Sequence, residues 1–332
     1  MNSSTIPSVA GMRILVTGGA GFIGSHLIDR MLNLGAQVKC LDNFSTGKHE
    51  NLLSFKNHPN FELLEGDIRD FEVCKEAVKG CDSVSHQAAL GSVPRSLNDP
   101  ISSHAVNVSG FLNILEASRL ENVKHFVYAA SSATYGDADA LPKIESEIGE
   151  PLSPYAATKL FNEIYAGVYF KNYGFNTIGL RYFNVFGPRQ DPDGSYAAVI
   201  PKFISSLMVG ESPVINGDGS FSRDYTYIEN VVQANLLALT ATKKHTLNEI
   251  YNIAYGEQTT LIELVREIKE RLLNYNQKVS EIEPVFGPER RGDVPHSLAS
   301  ITKARNLLGY DPAYDLKTGL TETVEWYYKN LN

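Results

Sequence analysis

The chain has 332 residues, of which 43% are hydrophobic and 20% are charged, a composition typical of a soluble globular protein. Its length favours about two domains or one large α/β unit, and its composition excludes a mainly disordered, collagen-like or coiled-coil chain. The formal net charge of −8 argues against nucleic acid or an anionic membrane as the main partner, although a few local arginines could hold a small anionic substrate.

The cysteines and the N-terminus indicate a reducing compartment. Cys40, Cys74 and Cys81 have a number and spacing typical of buried thiols rather than of a disulfide framework or a zinc site, and the histidines show no metal-ligand spacing, so no metal is expected. The chain starts without the basic and apolar segments of a signal peptide, and it has no apolar run of about 18 residues. We therefore expect a cytoplasmic protein with no membrane partner.

Short apolar runs alternate with amphipathic patterns through the first half of the chain. The runs predict buried parallel strands at residues 13–17, 37–41, 61–67, 83–87, 124–130 and 177–181. Helical spacing is clearest at residues 22–34, 104–119 and 155–173. This alternation predicts the α/β class, with a doubly wound parallel (Rossmann) sheet.

The alternation breaks down after residue 184, where prolines and glycines cluster. This half is predicted to form a smaller α+β C-terminal substrate lobe, with its clearest helices at residues 261–273 and 316–328. The predicted division assigns residues 1–183 to a dinucleotide-binding domain, to which residues 225–253 return, and residues 184–224 and 254–332 to the second lobe.

A glycine-rich turn follows the first strand and opens the first helix. Gly18, Gly21 and Gly24 form G-x-x-G-x-x-G, in which the first glycine permits a tight turn, the second admits a pyrophosphate and the third lets helix and strand pack closely. The helix N-terminus supplies free N–H groups to the anion. A plain structural turn is the alternative, but the strand before and the helix after favour nucleotide binding.

Asp42 ends the second strand, 18 residues after Gly24. A carboxylate here accepts hydrogen bonds from the adenosine ribose hydroxyls and repels the additional phosphate of NADP, so NAD is the favoured cofactor. The alternative role of Asp42 is to cap a turn.

Tyr155 and Lys159 lie at i and i+4, on one face of a predicted helix. A nearby cation favours the phenolate and lowers the tyrosine pKa, so Tyr155 could take a proton from a sugar hydroxyl while hydride leaves the same carbon. Ser131 stands at the end of the fifth strand, where an open α/β sheet places its ligand crevice, and could bind the reacting oxygen. Alone, each feature is common; the serine could equally cap a helix.

Together these residues resemble the extended short-chain dehydrogenase/reductase family, from Arg13 to about Trp326. Within the family the chain is similar to bacterial UDP-N-acetylglucosamine 4-epimerases of surface-polysaccharide synthesis, such as that of O-antigen. The segments that carry this similarity are 86–95 (HQAALGSVPR), 129–137 (AASSATYGD), 179–190 (GLRYFNVFGPRQ), 196–202 (YAAVIPK) and 292–297 (GDVPHS).

The resemblance implies reversible epimerisation at C4 between UDP-GlcNAc and UDP-GalNAc, with UDP-Glc and UDP-Gal as possible further substrates. Tyr155 would take the O4 proton as hydride passes to bound NAD, and the resulting 4-keto sugar would turn over and receive the hydride on its other face. The implied cofactor-binding residues are Gly18, Gly21, Phe22, Ile23, Gly24, Asp42, Asn43, Asp67, Ile68, Gln87, Ala88, Ala89, Asn107, Tyr155 and Lys159. The implied substrate-binding residues are Gly91, Ser92, Ser131, Ser132, Asn184, Gln190, Ala198, Val199, Arg223, Arg290 and Ser297.

The family pattern also implies individual roles. Arg223 and Arg290 would hold the diphosphate, as planar guanidinium groups suit that target. A bulky tyrosine at the position of Ser297 restricts relatives to glucose and galactose, so the serine predicts room for a 2-acetamido group. Ala133-Thr134 stands where dehydratases carry an acidic pair, which argues against dehydration.

Three alternatives stay open. A 4-epimerase that prefers the uronic acids UDP-GlcNAcA and UDP-GalNAcA would need an additional polar or cationic group near C6. A non-catalytic NAD-binding regulator would usually lack the tyrosine, lysine or serine that this chain keeps. A net oxidoreductase would exchange its cofactor in each cycle. The resemblance also implies a homodimer that pairs through the helices at 104–119 and 155–173.

Overall fold

The structure is a computed structural model that describes residues 7–193, 197–288 and 294–331. Its main sheet contains β1 (Arg13–Thr17), β2 (Gln37–Asp42), β3 (Phe61–Glu65), β4 (Ser83–His86), β5 (His125–Ser131), β6 (Thr177–Tyr182) and, much later in the chain, β11 (Glu249–Ile253). The strand order is β11-β6-β5-β4-β1-β2-β3, and each neighbouring pair is parallel. The predicted α/β fold with a doubly wound parallel sheet is therefore confirmed.

The remaining strands form small two-stranded sheets outside the main sheet. They are β7 (Val185–Phe186), β8 (Val214–Asn216), β9 (Ser222–Arg223), β10 (Thr226–Tyr227), β12 (Thr259–Thr260) and β13 (Val285–Gly287). β7 pairs with β10 and β8 with β13 in parallel, whereas β9 and β12 are antiparallel.

The helices of the first half are α1 (Phe22–Asn33), α2 (Phe71–Val78), α3 (Val93–Asn98), α4 (Pro100–His104), α5 (Phe111–Leu120) and α6 (Pro154–Tyr173). Those of the second half are α7 (Val199–Met208), α8 (Ile228–Leu239), α9 (Leu261–Leu272) and α10 (Leu316–Leu331). Helices α1 and α8 pack together on one face of the main sheet, and α2, α5 and α6 cover the other. Each face buries its own apolar cluster, and this burial is the main source of stability.

The helix predicted at residues 104–119 is longer than expected and is interrupted. It starts at Pro100, where the Asp99 side chain accepts from the Ser102 N–H, and a π-helical turn from Ala105 to Gly110 joins α4 to α5. Such turns widen the helix locally and often place functional side chains. Here the turn carries Asn107, one of the predicted cofactor residues.

Residues 225–253 contribute α8 and β11 to the layers around the main sheet, and β11 pairs with β6. Helices α7, α9 and α10 pack against one another beyond that sheet. The boundaries predicted for the two domains are not decided by these contacts, so the division stays a prediction. Within the described ranges, no helix is both long and apolar enough to cross a membrane.

Candidate functional site

Polar residues and glycines converge at the carboxyl ends of β1, β2, β4, β5 and β6, the edge where parallel sheets bind ligands. Among the described residues, three cavities lie at this edge or beside it. The glycine-turn cavity, of about 340 Å³, is lined by Gly18, Gly21 and the ends of β2 and β4. The Lys202 cavity, of about 510 Å³, lies beside α7, and the Ser297 cavity, of about 200 Å³, lies beside the start of α6. Asn184 and Arg223 line both of the latter two.

The geometry of the glycine turn fits the predicted roles of its glycines. Gly18 has a φ of +67°, and a Cβ there would come within 2.7 Å of the Ala88 backbone nitrogen. A Cβ on Gly24 would lie 2.2 Å from the Gly18 carbonyl oxygen, so helix α1 can pack this closely only with glycine. Gly21 is the N-cap of α1 and offers no side-chain cap, which leaves the first N–H groups of the helix free for an anion.

The ends of β2 and β3 supply carboxylates to the glycine-turn cavity. Asp42 accepts from the backbone N–H groups of Ala20 at 2.9 Å and Phe44 at 2.8 Å, and burial raises its pKa although these bonds oppose the rise. It therefore does cap a turn, yet it still lines the cavity, and a carboxylate can accept further bonds. Asp67 binds Arg69 and Asn43, and the Arg69 hydrogen bonds lower its pKa to about 2.

Most predicted cofactor residues line this cavity, and the donors and acceptors suit a dinucleotide. They are Gly18, Gly21, Phe22, Ile23, Gly24, Asp42, Asn43, Asp67, Ile68, Gln87, Ala88 and Ala89. A cavity whose wall combines the free N-terminus of α1 with the Asp42 carboxylate fits NAD, which carries both a diphosphate and ribose hydroxyl groups. That each residue touches the cofactor stays a prediction.

Asn107 does not line the described cavities. Its side chain is buried, accepts from the Leu90 N–H at 2.8 Å, and donates to the Leu90 carbonyl at 3.1 Å and to the Thr158 hydroxyl at 3.2 Å. It thus ties the chain after β4 to helix α6. In this structure Asn107 positions the cavity wall, because both of its amide atoms are engaged with protein.

Tyr155 forms a side-chain hydrogen bond with Ser131, and Lys159 follows Tyr155 by one turn of α6. Ser131 ends β5, and its hydroxyl caps the next turn by accepting from the Ala133 N–H at 3.1 Å. Tyr155 is at the start of α6, which Ser153 caps and Pro154 begins. Ser132, Ser153 and Ala156, neighbours of these residues in the chain, line the Ser297 cavity.

The electrostatics of this group differ from the sequence expectation. Burial raises the pKa of Tyr155, opposed by its side-chain hydrogen bond with Ser131. The Lys159 ammonium donates instead to the Ala129 carbonyl at 2.8 Å, and burial lowers the Lys159 pKa to about 8. The expected lowering of the tyrosine pKa by the lysine is therefore not seen, because this ammonium is directed at the backbone of β5.

The Ser297 cavity has both polar and apolar residues in its wall. Ser132, Asn184, Arg223 and Ser297, all predicted to bind substrate, line it. The Arg223 guanidinium donates to the carbonyls of Ser222 at 2.9 Å and Pro295 at 3.0 Å, which fixes it between this cavity and the Lys202 cavity.

Other predicted substrate residues lie elsewhere. Val199 lines the Lys202 cavity, whereas Ala198 is the N-cap of α7 and Gly91 lines the glycine-turn cavity. Ser92 caps α3 by accepting from the Arg95 N–H at 3.2 Å. The Gln190 amide donates to the Val185 carbonyl at 3.1 Å and does not reach the described cavities. Arg290 lies outside the described residues.

The structure adds residues that the sequence reasoning missed. The wall of the Ser297 cavity includes Lys143 and His296. The wall of the Lys202 cavity includes Lys202, Phe221 and Tyr225. The wall of the glycine-turn cavity includes Lys48, Arg189 and Asp191. Arg189, Lys202 and His296 belong to segments that carried the family resemblance, so they could have been noticed. The remaining residues lie outside those segments, and no local pattern indicates them.

The chain is similar to proteins of known family over nearly its whole length. A model of the NAD dependent epimerase/dehydratase family matches residues 14–254. A putative UDP-glucose 4-epimerase of Methanocaldococcus jannaschii is 39% identical, over 96% of this chain and 99% of its own.

Solved structures give the same result. A UDP-N-acetylglucosamine 4-epimerase from Methanobrevibacter ruminantium M1, in complex with UDP-N-acetylmuramic acid, superposes with a TM-score of 0.90 at 39% identity, covering 97% of this chain and 99% of that one. A UDP-glucuronic acid 4-epimerase from Bacillus cereus, in complex with UDP-glucuronic acid and NAD, superposes with a TM-score of 0.85 at 32% identity, covering 96% and 99%.

Proposed function

The chain belongs to the NAD dependent epimerase/dehydratase family and is an NAD-dependent UDP-sugar 4-epimerase, and from that premise we propose that it interconverts UDP-GlcNAc and UDP-GalNAc. The observation that carries the choice of sugar is Ser297, a small residue in the wall of the Ser297 cavity. Since serine leaves volume that a tyrosine would fill, the cavity has room for a 2-acetamido group. UDP-Glc and UDP-Gal, which are smaller, fit the same space.

In the proposed reaction the residues of this chain bind the sugar and move one proton. The Tyr155 phenolate takes the proton from O4 and, as the phenol, later returns it, while the Ser131 hydroxyl binds the same oxygen. When bound, NAD supplies the hydride acceptor and donor for C4. The Lys159 ammonium stays on the Ala129 carbonyl of β5, so the positive charge of bound NAD⁺ would be what favours the Tyr155 phenolate that burial disfavours.

The substrate would lie across two cavities. Arg223, shared by the Ser297 and Lys202 cavities, is placed to bind the diphosphate that joins sugar and uridine. Val199 and Phe221 in the Lys202 cavity offer apolar surface to the uracil. Arg290 stays a second diphosphate-binding candidate from the sequence alone.

The experiment that tests this function adds no cofactor. Purified protein is incubated separately with UDP-GlcNAc, UDP-Glc and UDP-GlcNAcA, and the C4 epimers are resolved by proton NMR. We expect UDP-GalNAc from UDP-GlcNAc without added NAD, because an epimerase regenerates its bound cofactor in each cycle. If no epimer forms from any of the sugars, the proposal fails; turnover only with added NAD and a net change in redox state would indicate an oxidoreductase.

One observation favours the uronic acids as second candidate substrates. The buried Lys143 lines the Ser297 cavity, where its ammonium donates to the Ala138 carbonyl. Among the described residues that line this cavity, none is acidic. An ammonium has three donors, so Lys143 can also bind a sugar carboxylate.

Lys143→Met tests this candidate. If the lysine binds a carboxylate, the variant loses turnover of UDP-GlcNAcA while turnover of UDP-GlcNAc is maintained. Lys202→Met, which removes a cation from the Lys202 cavity instead, is the control and should affect both sugars alike. An equal loss for both sugars in Lys143→Met would remove the uronic acids as preferred substrates.

We also propose a cytoplasmic homodimer that serves surface-polysaccharide synthesis, including that of O-antigen. Support for the dimer comes from α6, where Phe161, Ile164 and Val168 are each more than 40% exposed, and from the neighbouring α4, where Ile101 is 81% exposed. Apolar side chains grouped on adjacent helices favour pairing with a second copy.

A further inference from the structure

Arg189 brings an unpartnered N–H to the wall of the glycine-turn cavity. It lies in the loop after β7, with a φ of +66°, and lines the cavity although its place in the chain is far from the glycine turn. Its Nη2 donates to the Asp29 carboxylate at 3.0 Å, whereas its Nη1 is buried and has no hydrogen-bond partner among the described residues. A buried donor of this kind is costly unless a ligand satisfies it.

Contacts with helix α1 fix the position of this arginine. The His26 Nε2–H donates to the carbonyl of Pro188, the residue before Arg189, at 2.9 Å. Burial and the nearby Arg189 charge lower the His26 pKa to about 4, so the imidazole is neutral near pH 7. His26 and Asp29 both belong to α1, and Phe22 at the start of that helix lines the cavity.

The charges around the cavity are distributed unevenly. Asp42 and Asp67 lie at the ends of β2 and β3, where they suit hydroxyl groups rather than phosphates. Lys48 and Asp191 also line the cavity, and they form an ion pair at 3.0 Å. Arg189 is therefore a cation beside α1 whose pairing with Asp29 engages only one of its terminal nitrogens.

We propose that Arg189 binds the diphosphate of NAD. Its Nη2 donates to the Asp29 carboxylate, and its Nη1 donates to a phosphate oxygen. A guanidinium suits this task because its donors diverge in a fixed plane and can bind a carboxylate and a phosphate together. The cofactor is thereby held by a loop that follows the main sheet as well as by the glycine turn. This assignment depends on the use of NAD and not on which sugar is epimerised.

The test measures cofactor retention without any sugar. Wild type, Arg189→Gln and Arg189→Lys are purified, the NAD released by denaturation is quantified, and the bound NAD is displaced with ADP or with adenosine. We expect Arg189→Gln to release NAD about 10- to 100-fold faster than wild type. The concentration of adenosine needed to displace NAD, divided by the concentration of ADP needed, should be larger for wild type than for Arg189→Gln, because only ADP carries the diphosphate that Arg189 binds.

Two controls separate binding from structure. Arg30→Gln removes an arginine that belongs to α1 itself, pairs with Glu229 and does not line the cavity, so this variant should retain NAD like wild type. Asp29→Asn removes the ion partner but keeps the guanidinium, and it should retain more NAD than Arg189→Gln.

The outcomes are decisive in both directions. Partial retention of NAD by Arg189→Lys would support a role for the positive charge. Thermal unfolding of each variant verifies that it is folded. Equal NAD release from Arg189→Gln and wild type, an equal loss of ADP and adenosine binding, or equal effects of Asp29→Asn and Arg189→Gln would overturn the assignment.

Discussion

The ability of the single residue Tyr155 to act as a base depends on the groups around it. Its surroundings raise the pKa of an already weak acid, so it can act as a base only when the bound cofactor adds positive charge nearby. Tyr155→Phe keeps the ring and removes the hydroxyl. We expect turnover to fall about 10²- to 10⁴-fold, because proton transfer from O4 is lost.

The measurement for Tyr155→Phe pairs the NMR assay with the NAD content of the purified variant. NAD content should match that of wild type, as the fold and the glycine turn are unchanged. Turnover close to the wild-type rate would remove Tyr155 as the base and direct attention to Ser131.

Ser297 gives a second prediction at this scale. In the cavity of about 200 Å³ that it lines, Ser297→Tyr should reduce turnover of UDP-GlcNAc about 10- to 100-fold more than turnover of UDP-Glc, because the ring takes the space of the acetamido group. Ser297→Ala, which adds no volume, is the control and should leave the ratio of the two rates unchanged. The ratio of kcat/KM values measures the effect, and an equal loss for both sugars would contradict this role.

Residues of the site differ in how far the sequence predicts them. Gly18, Gly24 and Asp42 are predictable because their tasks depend on local backbone: a positive φ, a close helix approach and the end of a strand. Lys143 is not, since it reaches its cavity only after a distant loop folds back, whereas Arg189 is indicated only by the segment 179–190 that carries the resemblance. Gln190 shows the converse, because its side chain satisfies a nearby backbone carbonyl.

At the scale of elements, the position of helix α6 depends on a buried ion pair. Arg181 on β6 donates from Nε at 2.9 Å and from Nη2 at 2.8 Å to the two carboxylate oxygens of Glu163 on α6. The guanidinium also lies over the Tyr135 ring, 4.8 Å from its centroid. This pair joins the helix that carries Tyr155 and Lys159 to the sheet.

Glu163→Gln should destabilise the fold by about 3–5 kcal/mol, because it leaves a buried guanidinium without its counter-ion. Urea denaturation measures the loss in the free energy of unfolding. Glu72→Gln on α2, where the glutamate side chain is 77% exposed and pairs with Lys75, is the control and should cost less than about 1 kcal/mol. Similar costs for the two variants would contradict a structural role of the buried pair.

The strands of the main sheet and most helix starts are predictable from the sequence. The six predicted strands of the main sheet appear within two residues of their expected bounds, because their apolar runs end at turn residues. β3, predicted to be buried, is largely exposed because it is an edge strand of the sheet. The start of α4 and the π-helical turn were missed because they depend on the Asp99 cap and on packing against α6, which apolar spacing does not indicate. β11 was expected only as part of a returning segment, since its pairing with β6 is long-range.

At the scale of the whole molecule, the charge is separated between surface and site. The chain has a net charge of −8, yet no acidic side chain lines the Ser297 or Lys202 cavity among the described residues. The cations Lys143, Lys202 and Arg223 do. A negative protein thus keeps a positive potential where a diphosphate would lie, and focusing by cavity walls strengthens it.

Asp224 connects distant parts of this molecule and makes its stability depend on pH. Its fully buried carboxyl accepts, each at 3.2 Å, from the backbone N–H groups of Tyr255, Gly256 and Ala299. Burial raises its pKa to about 7, although these bonds oppose the rise. Asp224 therefore holds the loop after β11 and the segment that follows Ser297. Both lie next to Arg223, the residue that precedes Asp224 in the chain.

The raised pKa of Asp224 determines whether its contribution to stability increases or decreases with pH. In the unfolded chain the Asp224 pKa is near its ordinary value of 3.8, so between about pH 4 and pH 7 the native state binds the proton more tightly. The contribution of Asp224 to stability is then largest below pH 4 and decreases as the pH rises to 7. Asp224→Asn carries no charge at any pH and removes this dependence.

We therefore expect Asp224→Asn to be less stable than wild type at pH 5, because its amide nitrogen cannot accept the backbone N–H bonds. Between pH 5 and pH 8 the difference in the free energy of unfolding should shift in favour of the variant by on the order of 3 kcal/mol, because wild type buries a charge at pH 8. Urea denaturation at both pH values, at one fixed NAD concentration, measures this shift. Asp218→Asn, which replaces an exposed carboxyl bound to Ser220, should give the same difference from wild type at both pH values. A constant difference for Asp224→Asn as well would show that its carboxyl does not titrate in this range.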